Sequence, residues 1–417
     1  MRLYDRPWRF MVVKILMVNK FLYPNGGSET YIFKLGEELQ RQGHEVQYFG
    51  MEHEGRIVGN HAEAYTSNMD FHTGKLQKLL YPFRIIYSKE AYRKMQMVLN
   101  DFEPVVLHLN NINFQLTPSV IEAVCDWEKG KNKKINLIYT AHDSQLVCPN
   151  HLMQQFLSGV KCQECLEKDT WQCVKHKCIH GSTVKSLLGS VEAAYYKHKH
   201  TYRKIDHIVC PSKFIKECLD YNADLKGRTK VLHNFVSMVN AEKKEVNAVE
   251  EKYVLYFGRY SPEKGVNTLI EVCKRTPHIH YKFAGSGPLK EQVCQLENAE
   301  ELGFLKSENL SQVIREAQFV IFPSECYENC PFSVLEAQMC GTPVIATDLG
   351  GTPELINNGV SGVLFEPGNV DSLLKCVNRL WNDEAVVRRL SHGCLQQSYM
   401  GVEEYTEQLM KIYEECR

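Results

Sequence analysis

The sequence predicts an α/β protein built from two doubly wound domains, each a parallel sheet with helices on both faces. Three observations lead there. Short apolar runs of strand length alternate along the chain with helix-length stretches. A polar, charged segment, "VSMVNAEKKEVNAVEEK" (236–252), interrupts the alternation, which then restarts. The chain has 417 residues, too many for one ordinary core.

The elements follow in order. "VVKILMVN" (12–19) reads as a buried first strand. "SETYIFKLGEELQRQGHEV" (28–46) puts Tyr31, Leu35 and Leu39 on one helical face, and Gly43 ends the helix. "EVQYFG" (45–50), "PVVLHLN" (104–110), "INLIYTAH" (135–142), "DHIVCPS" (206–212) and "TKVLHN" (229–234) are the remaining strands of the first half. After the charged segment come "YVLYFG" (253–258), "HYKFAG" (280–285), "AELGFL" (299–305), "FVIFPS" (319–324), "PVIAT" (343–347) and "GVLFE" (362–366). This predicts a first domain over 1–237, a linker over 238–252, a second domain over 253–402 and a final helix within 403–417. Two such sheets, each with its strand ends toward the other, would enclose a cleft lined by the loops after the strands.

Composition sets limits on partners. Apolar residues make up 44% and charged residues 24%, with a formal net charge of −1. That is a globular profile and does not indicate a nucleic-acid partner. The N-terminal apolar run is broken by Lys14 and Lys20 and lacks a small-residue cleavage site. No segment has the uncharged apolar length of a membrane span. These features predict a cytoplasmic protein. Sixteen cysteines in so long a chain read as reduced core thiols. One group stands apart as a candidate metal site: Cys148, Cys162, Cys165, Cys173 and Cys178.

Chemistry is expected in the loops beyond the strands. After the first strand, "YPNGGSET" has Gly26 and Gly27 before a helix start, where free amides favour an anionic or hydroxyl-rich ligand. A plain strand-to-helix turn explains the same residues. "GRYSPEKG" carries Arg259 and Lys264 on one loop, two cations able to offset a diphosphate. A solvated surface loop is the plainer reading. In "FAGSGPL", Gly285 and Gly287 let backbone approach a ligand. In "YENCPFSVLEA", Glu328 precedes a helix starting near Pro331, and Glu336 lies about one turn inside it. First-turn amides of Phe332, Ser333 and Val334 suit phosphate oxygens. Glu336 suits the vicinal hydroxyls of a ribose, and Glu328 the hydroxyls of a sugar beyond the phosphates. As bare spacing, two glutamates at this interval are common by chance.

The order of these pieces changes their weight. "NGGSETYIFKLGEELQRQGHEV", "VLHLNN", "YTAHD", "CPS", "VLHNFV", "YFGRYSPEKGVNTLIE", "FAGSGPL" and "PSECYENCPFSVLEAQMCGTPVIATDLGGTPELINNGVSGVLFEPGN" span nearly the whole chain. In that order the sequence resembles glycosyltransferase family 4, retaining sugar transferases of the GT-B fold. The resemblance implies a nucleotide diphosphate sugar donor (UDP- or GDP-sugar) and a glycan or lipid-linked acceptor. Arg259 and Lys264 match the pair holding the donor diphosphate. Glu336 matches the ribose-binding acid, Glu328 the acid facing the donor sugar, and Phe332, Ser333 and Val334 the backbone diphosphate contacts. His142 matches a histidine near the transferred sugar, and Gly26 and Gly27 a glycine loop approaching the donor. The last helix is implied to return to the first domain. Where many members have Glu-Gly-Phe-Gly this chain has Glu328-Asn329-Cys330-Pro331, which puts the donor sugar's identity in question.

Transfer would leave negative charge on the departing diphosphate, which Arg259, Lys264 and the helix amides are placed to stabilise. None of these loops has the Asp-x-Asp of a metal-held diphosphate, so transfer itself is expected to need no cofactor. The resemblance favours front-face attack over double displacement, with His142 positioning rather than acting as a base; a hydrogen-bonded strand-end histidine is the bland alternative. Epimerase or hydrolase action, or binding without catalysis, are the competing functions. The cysteine insert (about 148–180), with His151, His176 and His180 nearby, is read as structural zinc, reduced thiols or an iron–sulfur centre. Two basic stretches, 74–96 and 185–204, read either as ordinary packed helices or as peripheral contacts with the inner face of a membrane.

Overall fold

The computed structural model describes residues 11–68, 84–236, 252–305 and 307–415. It divides into two compact units, Met1–His233 with Val402–Arg417, and Asn234–Gly401. The expected linker, 238–252, lies outside the described residues except for Lys252, as does the 74–83 part of the first basic stretch.

The first unit holds a six-stranded sheet: β1 (Lys14–Val18), β2 (Glu45–Phe49), β3 (Val106–Leu109), β4 (Asn136–Thr140), β5 (His207–Cys210) and β6 (Thr229–Val231). The order is β2-β1-β3-β4-β5-β6 and every pairing is parallel. β3 and β4 are buried at every position, as strands covered on both faces must be. The helix Gly27–Arg41 follows β1, and Tyr31, Leu35 and Leu39 are all fully buried along its inner face. Gly43, at φ +91°, ends it in a backbone conformation open to glycine.

The C-terminal helix Val402–Glu414 packs on this first unit. Tyr405 Oη and Tyr31 Oη lie 2.8 Å apart, and Tyr31 Oη also reaches Thr140 Oγ1 at 3.2 Å. His108 bridges Thr140 (2.7 Å) and Tyr413 (2.6 Å), and Asn136 Nδ2 donates to the Tyr413 carbonyl at 2.8 Å. These buried polar groups are therefore satisfied by each other.

Of the two basic stretches, the first is broken at Ser88 and the second is helical over most of its length, as expected. Ser88 caps a new helix, accepting from the Ala91 amide at 3.1 Å, so Lys89–Phe102 is separate from what precedes it. The second basic helix runs Thr183–His198, capped by Ser182. No helix among the described residues is long and apolar enough to cross a membrane.

The second unit has β7 (Val254–Arg259), β8 (Tyr281–Ser286), β9 (Ala299–Gly303), β10 (Phe319–Phe322), β11 (Val344–Thr347) and β12 (Gly362–Phe365). Their order is β12-β11-β10-β7-β8-β9, again all parallel. Alternate residues feed two cores: Val254, Tyr256, Phe283 and Ile321 on one face, Leu255, Phe257, Ala284 and Phe322 on the other. The chain winds outward from β7 to β9, returns to β7's other side, and winds away through β10 to β12. The strand order thus reverses between β7 and β10, the position beyond whose strand ends open α/β sheets bind ligands.

Candidate active site

The loops after β7 and β10 meet at that reversal. After β7 the chain makes a 3-10 turn, Pro262–Lys264, and then the helix Val266–Arg275. Gly265 joins them at φ +71°, and a Cβ there would lie 1.8 Å from the Pro323 carbonyl oxygen after β10. Only glycine allows the two loops this approach. Glu325 N donates to the Glu263 carbonyl at 2.9 Å, and Thr268 Oγ1 donates to Glu325 Oε1 at 2.5 Å, tying the loops further.

This closeness pairs Lys264 with Glu328. Lys264 Nζ donates to Glu328 Oε1 at 2.5 Å, and the same oxygen accepts from Ser324 Oγ at 2.7 Å and Cys326 Sγ at 3.5 Å. Burial alone would raise the Glu328 carboxyl; the lysine and the two donors outweigh it and hold it below the usual range. Burial likewise works against the Lys264 charge, but Glu328 with Cys326 and Glu263 raises it above an ordinary lysine. The Glu328 carbonyl accepts from Gly351 N at 2.7 Å, and Gly350, at φ +63°, leaves room for that loop. The double glycine of "DLGGTPEL" thus seats the Glu328 backbone.

Arg259, the last residue of β7, is exposed, and its guanidinium makes no hydrogen bond or ion pair among the described residues. The helix Phe332–Met339 starts four residues past Glu328. Of the three amides expected to be open, Val334 N reaches the Pro331 carbonyl at 3.2 Å, because the first turn tightens. Phe332 and Ser333, the first two helical residues, precede the first i→i−4 bond. Asn329 sits partly buried between Glu328 and Cys330. Glu336 is one turn into the helix, half-buried, with no side-chain partner among the described residues. Burial pushes its carboxyl up to about 7. An unpaired, partly desolvated carboxylate of this kind gains most from a ligand that donates hydrogen bonds.

Gly285 and Gly287 admit a close approach of the chain's own backbone. A Cβ on Gly285 would meet the Gly258 carbonyl at 1.9 Å, and one on Gly287 the Tyr260 carbonyl at 2.4 Å. The backbone they admit is the chain's own, packing β7 against β8.

In the first unit, Gly26 and Gly27 lie exposed at the start of the helix after β1. Gly26 has φ −175°, open to any residue. Glu29, buried in that first turn, accepts from Asn19 Nδ2 and Ser28 Oγ, both at 2.9 Å. His142 follows β4, with its ring 4.9 Å from Tyr31 and its Nε2 2.9 Å from Asn110 Oδ1. Asn110 Nδ2 donates to the Val18 and His108 carbonyls, so its oxygen accepts, and His142 Nε2 carries the proton. Burial holds this imidazole down at about 3, neutral at physiological pH. Asn110 beside His142 in the first unit, and Ser324, Cys326 and Gly265 around Lys264 and Glu328 in the second, were passed over in the sequence; the paired "NN" after β3 and Ser324, four positions before Glu328, were the available signals.

The five insert cysteines line a single small cavity together with Asn150, Met153 and Gln172. No disulfide joins them.

Comparison with known proteins follows the same lines. Residues 25–238 match the family model described as Glycosyltransferase Family 4, and residues 239–394 that of Glycosyl transferases group 1. An uncharacterized glycosyltransferase of Methanocaldococcus jannaschii is 26% identical over 84% of this chain and 95% of that protein. The phosphatidylinositol N-acetylglucosaminyltransferase gpi3 subunit of Schizosaccharomyces pombe is 21% identical over 95% of this chain and 80% of its own length. Sucrose-phosphate synthase of Thermosynechococcus elongatus has a TM-score of 0.68 at 18% identity, covering 96% of this chain and 98% of that one. Anabaena Alr3699/HepE in complex with UDP-glucose has a TM-score of 0.64 at 17% identity, with 96% and 98% covered. At these identities the structural likeness establishes the fold, GT-B.

Proposed function

We infer that this chain, which belongs to Glycosyltransferase Family 4, moves a sugar from a nucleotide diphosphate sugar to a glycan or lipid-linked glycan with retention at the anomeric carbon. The observation that carries the reading is the Lys264–Glu328 pair at the strand-order reversal, beside a helix start and the unpaired Glu336. A diphosphate fits the free Arg259, the Lys264 ammonium and the open amides of Phe332 and Ser333. The ribose hydroxyls go to Glu336, which gains donors in exchange for its desolvation. Glu328 is held ionised and accepts hydroxyls of the donor sugar, with Asn329 beside it shaping which sugar fits. The UDP-glucose bound by Anabaena HepE supports uridine as the first base to test.

As the anomeric bond breaks, the electron pair leaves with the diphosphate. Lys264 and Arg259 counter that growing charge, each worth about 3 kcal/mol of barrier. The leaving phosphate then takes the acceptor's proton on the same face, which keeps the configuration. His142 is neutral and a poor base at physiological pH, which supports a hydrogen-bonding role. For location we propose the cytoplasm with peripheral contact at the inner membrane face. The exposed stripe Val184, Leu187 and Val191, flanked by Lys185, supports it.

The test incubates the protein with a panel of UDP-, GDP- and ADP-sugars, with and without glycan acceptors. Nucleotide release that depends on acceptor, with an α- or β-product matching the donor, supports transfer with retention. Release without acceptor indicates hydrolysis, and binding without release a non-catalytic protein.

A further inference from the structure

The segment between β4 and the helix Thr183–His198 has little to hold it together. Its helices, Glu164–Glu167 and Trp171–Lys175, have four and five residues. Four of its large apolar side chains are mostly exposed, Phe156 54%, Leu157 69%, Val160 54% and Trp171 54%, while Leu146 and Met153 are buried. So small an element with so slight an apolar core gains from another fastening, a disulfide or a metal. No disulfide joins its cysteines.

What the segment buries besides is sulfur. Cys148, Cys173 and Cys178 are buried, and with Cys162 and Cys165 they line one cavity of about 10 Å³. A cavity of that size can take a single ion. Two thiol pairs face each other there, Cys148 with Cys165 and Cys173 with Cys178. Backbone amides of Asn150 and Met153 aim at the Cys148 sulfur. Such amide-to-sulfur bonds orient and stabilise thiolates, as the outer groups of a metal site do.

We propose that Cys148, Cys165, Cys173 and Cys178 form a structural site for one Zn²⁺ ion that fastens this segment to the first unit. Four thiolates and no open position suit a tetrahedral structural ion. Among the described residues no three ligating groups already stand as a coordination shell. Loading therefore draws the two thiol pairs together around the ion, at about 2.3 Å per sulfur. The thiols lose their protons to solvent as the bonds form, and no oxidant or reductant takes part. The site lies far in sequence from Lys264, Glu328 and Glu336 and would act by fastening the segment.

The test uses the full chain purified under reducing conditions without added metal. Elemental mass spectrometry is expected to find about one zinc per chain, falling to about a tenth or less in Cys173→Ser and in Cys165→Ser. Should a variant fail to fold, the wild-type protein stripped by chelator carries the test. Titration with Co²⁺ should then give a thiolate-to-cobalt charge-transfer band saturating at one ion per chain, and Zn²⁺ should abolish it. A wild-type chain that holds no zinc and gives no such band overturns the proposal. So do iron with acid-labile sulfide, or disulfides joining Cys148 to Cys165 and Cys173 to Cys178 in the reduced preparation.

Discussion

Lys264 Nζ and Glu328 Oε1 lie 2.5 Å apart, joining the loops that leave β7 and β10 where the second sheet's strand order reverses. The 64 positions between them in sequence are closed by topology. Each partner keeps the other charged in a partly buried place. A donor diphosphate would share the lysine with Glu328, so that Glu328 stays ionised and can accept hydroxyls.

Lys264→Ala should lower kcat about 10²–10³-fold, the cost of one preorganised donor to a developing charge. Binding of the bare nucleoside should change little if Glu336 takes the ribose end as proposed. Steady-state kinetics with calorimetry on uridine and UDP separates the two effects. Equal loss in both would place Lys264 in general folding of the loop instead.

Glu336 gives a pH signature. Its carboxyl stands at about 7 in the free protein, raised by burial. A hydroxyl-donating ligand prefers the ionised form, so nucleotide affinity should rise as pH increases through about 7 and weaken below it. Glu336→Gln should bind more weakly at pH about 8 and show a flat profile across the same range. Calorimetric titration with UDP at several pH values reads both.

Gly265 and Gly227 make a matched pair for backbone strain. Both have positive φ, +71° and +82°, but only at Gly265 would a Cβ strike backbone, the Pro323 carbonyl. Gly227→Ala should cost about 1 kcal/mol, from conformation alone. Gly265→Ala should cost several kcal/mol or spread the two loops and lose donor binding. Thermal melts of the two variants, followed by UDP titration, test this.

Glu192, on the helix Thr183–His198, is 3% exposed, and its Oε1 has no partner. Burial raises its carboxyl to about 8. A carboxyl raised on folding binds its proton more tightly in the folded chain. Stability therefore falls as pH rises from the ordinary carboxyl range to about 8 and levels beyond. Glu192→Gln should remove that part of the slope and raise Tm at pH about 8.5, while having little effect near pH 5. Melts of both proteins across pH show whether the slope belongs to Glu192.

Much of this was legible in the sequence because parallel strands buried on both faces are written as plain apolar runs. "FVIFPS" and "PVIAT" became β10 and β11, and the face Tyr31, Leu35 and Leu39 was fully buried. The acids around the Phe332–Met339 helix fell where turn geometry put them. Less legible were features that depend on distant chain. Nothing local to Lys264 says that its amine points at Glu328, or local to Gly285 that the Gly258 carbonyl lies against it. The start of the helix at Lys89 was hidden because Ser88 is a weak signal inside a long basic stretch. The polar ties of Tyr31, His108 and Tyr413 join residues more than 300 positions apart, which no window of sequence contains.

The most direct measurement is calorimetric titration of the chain with UDP, GDP and ADP, repeated on Glu336→Ala. The account predicts that at least one nucleotide saturates a single site per chain and binds at least about tenfold more weakly to the variant, the loss of one hydrogen-bonded charged contact. No saturable binding by any of the three, or affinity unchanged in Glu336→Ala, would contradict it.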